Sequence, residues 1–168
     1  MSIKLLEIKK ESCPAARLIG KKQAGSPNWN EWWENNWFEK LEEIPCIPFN
    51  GDAYIGAVHI LDGMPERWIG MLFSAGTEVP EGFEAVDIEP LEYAVCYLYD
   101  KKGSSDFYTI QTHDMCLEEM KIQNLKRNED NWCMERYNCP RFTTPDENGN
   151  VILDYAISII DGFMEGTL

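Results

Sequence analysis

A glutamate stands in the middle of a segment that otherwise suits burial. Residues 131–139 read Asn-Trp-Cys-Met-Glu-Arg-Tyr-Asn-Cys, placing Trp132, Cys133, Met134 and Tyr137 around Glu135. An ionised carboxylate is costly to bury without a partner. Strand side chains alternate with period two, so Glu135 and Tyr137 share a face. A carboxylate among apolar groups is poorly solvated, which favours its neutral form. An organic cation arriving beside it restores the charged form and gains an ion pair in a low dielectric. Each well-placed aromatic ring adds about 0.5–2 kcal/mol of cation–π attraction. The plain alternatives are an exposed strand charge, or an ion pair with an arginine such as Arg67 or Arg141.

Other chemistries find less support. The six cysteines, at 13, 46, 96, 116, 133 and 139, contain no Cys-x-x-Cys pair, and only two histidines exist. That spacing offers no zinc site, and no metal is expected. His59 lies in an apolar strand-like run and reads as a core histidine. His113 lies in a helical run with no nucleophile motif beside it. Asp146 to Asn150 is a turn too short for a calcium loop. Gly-x-Ser-x-Gly, His-Glu-x-x-His and phosphate-binding loops are absent, so no cofactor is expected.

Composition narrows the classes further. The chain has 168 residues and a formal net charge of −14. That length suffices for one domain with a core, here expected over 1–168 with internal halves of about 1–77 and 78–168. The charge argues against direct nucleic-acid binding, which needs a basic face. It keeps the protein soluble and permits attraction to cationic small molecules or basic partners. MSIKLLEIKKESC lacks a signal peptide's apolar stretch, and no apolar run reaches membrane-spanning length. Cysteines inside element-like runs read as buried thiols, which fits a cytoplasmic location.

The elements that must position Glu135 follow from periodicity. Strands are expected at Ile3–Lys9 and Ala16–Lys22. A helix is expected over Trp29–Ile44, capped by Ser26 or Asn28 and ended by Pro45. Its stripe is Trp33, Trp37, Leu41 and Ile44. Ala53–Leu61 and Glu66–Ala75 read as strands around the turn Asp62–Pro65. Phe83–Glu89 and Leu91–Asp100 are strands, Asp106 to about Lys126 a helix, and Asn131–Asn138 and Val151–Ile160 the last strands. The order β-β-α-β-β thus occurs twice. A mostly antiparallel sheet with two helices on one face buries both apolar stripes, an α+β solution.

This order resembles the gyrase-inhibitor-like (GyrI-like) small-molecule-binding family, the effector-binding module also fused to some AraC-type and MerR-type multidrug-responsive regulators. The matching residues are Val79-Pro80-Glu81-Gly82-Phe83, Tyr93-Ala94, Gly103, Trp68 with Gly70, and Glu135-x-Tyr137. The resemblance covers nearly the whole chain. It implies duplicated, pseudo-two-fold β-α-β-β units, one eight-stranded antiparallel sheet, and two helices flanking a central groove. In members that bind lipophilic cations, the glutamate of the Glu-x-Tyr motif projects into an aromatic-lined groove, and here that residue is Glu135. The expected ligand-binding set is Glu135, Tyr137, Trp33, Trp37, Trp68, Tyr93 and Tyr97. The family's Trp-Leu-Pro segment after the second helix is replaced by NLKRNEDNW. With no residues left for a DNA-binding helix-turn-helix, a free-standing protein is expected.

Three functions follow from the resemblance. The first is a binding protein for hydrophobic, cationic aromatic ligands, used in drug sensing or sequestration. The second is a hydrolase of cyclopropane-containing genotoxins, with Glu135 activating water and Tyr137 polarising a carbonyl. The third is an acidic module that inhibits a basic protein partner. Homodimerisation is left open.

Overall fold

Apolar and β-branched runs between turns form eight strands, several of them buried on both faces, and short helical segments cover one side of the sheet. The computed structural model describes residues 2–160; the expected domain also takes in residues 1 and 161–168, which lie outside the described residues. The elements are β1 (Lys4–Cys13), β2 (Ala16–Gln23), α1 (Trp29–Glu34), α2 (Trp37–Glu42), β3 (Tyr54–Leu61), β4 (Met64–Ser74), β5 (Glu84–Ile88), β6 (Leu91–Lys101), α3 (Ile110–Ile122), β7 (Cys133–Tyr137) and β8 (Asn150–Ile159). A 3-10 turn at Ser105–Tyr108 precedes α3. The expected α+β class with one eight-stranded antiparallel sheet is what the chain forms.

The strand order is β1-β6-β8-β7-β3-β4-β2-β5, antiparallel at every pairing. Only Pro14 and Ala15 separate β1 from β2, yet these strands hold the first and seventh places. Two linking residues reach roughly 10 Å at most, so the sheet must curl until its ends approach. One core cluster reflects this by joining Cys13 and Leu91 from one end to Leu18 and Ile88 from the other. The glycine pair Gly20 and Gly70 stands in register across β2 and β4. A Cβ on Gly20 would lie 1.9 Å from the Ile69 carbonyl oxygen, so only glycine permits this approach. The edges are blunted: β1 is rich in exposed Lys and Glu and carries a bulge at Leu5–Glu7, and β5 has five residues.

Both helical units lie on one face of the sheet. Trp32, Phe38 and Leu41 of α1 and α2 pack on Ile19, Ile69, Met71 and Phe73. Cys116 and Met120 of α3 pack on Ala94, Cys96, Leu98, Leu153 and Ile157. The expected single helix over Trp29–Ile44 is instead two short ones. Asn36 adopts a left-handed conformation (φ 55°) between them and turns the chain. The break replaces the expected stripe, so Trp32 and Phe38 are buried while Trp33 is 53 % exposed. α3 ends earlier than expected, because Asn124 (φ 59°) and the Leu125 N–H to Met120 C=O bond close a Schellman turn.

The other face holds a buried ionic network. Asp154 is fully buried, and Arg136, Arg141 and Asn138 all donate to it. The Arg136 guanidinium also donates to both carboxylate oxygens of Glu11 and to the Phe49 carbonyl. Consecutive residues of β7 therefore face different worlds: Glu135 looks toward the helices, and Arg136 looks into this network.

Candidate functional site

β7 and β3 are the two middle strands, and between the helical units their side chains form the floor of a groove. In register, Tyr54 pairs with Tyr137 and Gly56 with Glu135, while Tyr155 of β8 flanks Glu135 on the other side. A Cβ on Gly56 would lie 2.8 Å from Glu135 Oε1 and 3.2 Å from Trp29 Cζ2. Glycine at 56 thus makes the space in which the carboxylate sits under the Trp29 ring.

The Tyr137 hydroxyl donates to Glu135 Oε1 at 2.7 Å and lies 3.3 Å from the Tyr108 hydroxyl. Tyr137 has one proton. The charge-assisted bond to Glu135 takes it, and Tyr108 is left to donate to Tyr137. Burial pushes the Glu135 carboxyl above the usual carboxylate range, while the Tyr137 bond and the positive charge of Arg67 pull it back. The Tyr137 ring meets Trp29 edge-on at 5.2 Å and Phe142 at 4.8 Å.

Two cavities adjoin this pair. The larger, about 760 Å³, is walled by Trp29, Trp33, Tyr54, Tyr108, Tyr137 and Phe142. Tyr54 is held by parallel stacking on Phe38 at 3.7 Å, and its hydroxyl donates to Glu42. The smaller, about 310 Å³, contains Glu135, Arg67, Tyr108, His113 and Tyr155. Tyr108 borders both cavities. His113 Nδ1 lies 2.7 Å from the Tyr155 hydroxyl, and Arg127 Nη1 lies 3.1 Å from His113 Nε2. A guanidinium only donates, so Nε2 accepts and the ring proton resides on Nδ1. Burial first, and then the Arg127 charge, lower the His113 pKa and favour this neutral ring.

The expected site residues divide. Glu135, Tyr137 and Trp33 line the cavities. Trp68 borders the smaller one, but it is buried and belongs to the core cluster on the opposite face. Tyr93 is fully buried in that same core, against Phe49 at 5.1 Å. Tyr97 shares the face of Tyr93, under the Arg141 guanidinium at 5.2 Å. Trp37 packs edge-on against Trp32, with Lys21 Nζ 4.0 Å above its ring, and lines neither cavity. Strand parity explains the split. The register runs Glu135–Tyr155–Cys96, so Cys96 shares the groove face and Tyr93, Val95 and Tyr97 point away. Trp29, Tyr54, Gly56, Tyr108, Phe142 and Glu42 were not anticipated. Tyr54 and Gly56 carried a signal in their period-two spacing on β3, but their register with β7 was needed to use it.

All six cysteines are free thiols, four of them buried. Among the described residues, no cluster of three or more His, Cys, Asp or Glu side chains could hold a metal ion, and no helix is long and apolar enough to cross a membrane.

No protein-family profile and no curated protein matches the sequence. Solved structures do match. SAV2435 bound to tetraphenylphosphonium aligns with a TM-score of 0.67 at 13% identity, over 93% of this chain and 95% of that one. A putative bacterial transcription regulation protein from Staphylococcus aureus MU50 aligns with a TM-score of 0.63 at 10% identity, over 91% and 97%. The C-terminal domain of EcmrR aligns with a TM-score of 0.58 at 7% identity, over 95% and 99%. The chain therefore has the fold of these structures, consistent with the GyrI-like fold expected from its Glu-x-Tyr motif and the order of its elements along the chain.

Proposed function

We propose that the protein binds hydrophobic, cationic aromatic small molecules, with Glu135 as the counter-charge. The observation that carries this reading is a half-buried carboxylate on the floor of an aromatic groove, made reluctant to ionise by burial and held by a single tyrosine hydroxyl. A ligand cation supplies the salt-bridge partner that Glu135 lacks among the described residues and strengthens the ion pair by excluding water. Aromatic walls offer faces to a delocalised or aryl-substituted cation. The fold neighbour solved with tetraphenylphosphonium supports this ligand class.

The test is a thermal-shift screen of wild type and Glu135→Gln against tetraphenylphosphonium and matched neutral aromatics. Wild type is stabilised selectively by the cation, and Glu135→Gln binds it roughly tenfold more weakly or worse. Equal shifts in the two proteins would remove Glu135 from the account.

A second reading rests on the smaller cavity, where Glu135 shares space with neutral His113, Tyr155 and Arg67. Such a set suits hydrolysis of a strained ring: Glu135 takes a proton from water, the water oxygen bonds to a ring carbon, and the breaking ring bond sends its electron pair into a conjugated carbonyl, which then takes up the proton from Glu135. Product formation in a single turnover separates this reading from pure binding.

A further inference from the structure

The larger cavity has a charge of its own. Its lining includes Glu42 and Asp52 but no Lys, Arg or His. Neither carboxylate joins a salt bridge among the described residues. Glu42 differs from the many other surface acids because the hydroxyl of a groove tyrosine holds it. That tyrosine, Tyr54, is itself locked by the Phe38 stack and by Trp33 at 5.6 Å. Tyr54 and Tyr137 are direct cross-strand neighbours, and each donates to a different carboxylate. One carboxylate, Glu135, lies in the smaller cavity, and the other, Glu42, lies at the rim of the larger.

We propose that the groove favours ligands carrying two separated positive charges, one beside Glu135 and one against Glu42 at the part of the larger cavity lined by Trp33 and Tyr54. This deepens the reading of Glu135 as a cation anchor and rests on it. A single cation can satisfy only one of the two carboxylates. A ligand of suitable length satisfies both, and its second charge binds as an intramolecular event at high effective concentration. Glu42 is exposed, where an isolated ion pair contributes little. The exposed Trp33 ring in the same lining compensates, because its face attracts the same cation. Arg67 stands in the smaller cavity near Glu135, which disfavours crowding both positive charges into that end.

The test uses calorimetry with a matched probe pair: pentamidine, which has two benzamidinium groups on a five-carbon diether chain, and its analogue with one amidine replaced by a neutral carboxamide. In wild type the dication binds about tenfold or more tightly than the monocation. Glu42→Gln keeps an oxygen for the Tyr54 hydroxyl, so its fold is retained, and it brings the ratio down to about twofold with the monocation little changed. Glu43→Gln, an adjacent exposed acid outside the cavity lining, leaves the ratio as in wild type. Glu135→Gln weakens both probes. A ratio unaffected by Glu42→Gln, or equal binding of the two probes to wild type, overturns the two-anchor proposal alone. Both readings fall if neither probe binds and tetraphenylphosphonium gives no stabilisation.

Discussion

At the scale of single residues, Glu135 sets stability against binding. Its carboxyl is raised above its unfolded value, mainly by burial, so the folded state holds this proton more tightly than the unfolded chain. The group therefore contributes stability at pH below the ordinary carboxylate pKa, and that contribution is lost as pH rises through the elevated value. Cation binding runs the other way, strengthening over the same window as the carboxylate ionises. Glu135→Gln is thus expected to match wild type at pH 4 and to exceed it at pH 8 by on the order of 1 kcal/mol, a Tm gain of about 2–4 °C. Melting curves of the two proteins without ligand, taken across that range, check the sign. A mutant less stable at pH 8 would mean that the ionised carboxylate is well satisfied. Glu135 and Tyr137 were legible in sequence because a charge in an apolar strand is an anomaly with a cost. Gly56 was not, because its significance lies in facing Glu135 across β3 and β7, and register is a long-range property.

At the scale of elements, β7 works as a partition with a different ionic problem on each side. The groove side leaves Glu135 short of positive charge, while the opposite side pairs Arg136 and Arg141 with one fully buried aspartate. Removing that aspartate strands two guanidinium groups. Asp154→Ala is expected to cost about 3–5 kcal/mol, measured by urea denaturation, with the loss concentrated at the β7–β8 pairing. A cost under 1 kcal/mol would show that the arginines re-pair with Glu11 and solvent. The eight strands were readable from β-branched and aromatic runs between turn residues. The helices were less so. Helical spacing of Trp33, Trp37, Leu41 and Ile44 suggested one rod, but two successive asparagines at 35 and 36 outweighed it, since Asn tolerates the left-handed turn that splits α1 from α2. That rotation turned Trp32 inward and left Trp33 at the cavity wall, so Trp33 was identified for a stripe that does not exist.

At the scale of the molecule, the duplicated order was visible in the chain, but the exchange of strands was not. Among the described residues β1 pairs only with β6, and β5 only with β2, so each half lends its first strand to the other. Pairings this distant in sequence slow folding and make it cooperative. Residues 1–77 and 78–168 made as separate chains should each lack cooperative unfolding. Mixed one to one, they should recover the strand signal in circular dichroism. Either half folding alone would contradict this. The lent strands also make the protein a single-chain counterpart of a strand-exchanged dimer. The groove floor is the β3–β7 seam, where residues of one half face residues of the other. A compound lodged there grips both halves at once. Cut in the exposed loop between β4 and β5, the protein would become a two-component switch, in which a small molecule acts as the glue and reassembly is the signal.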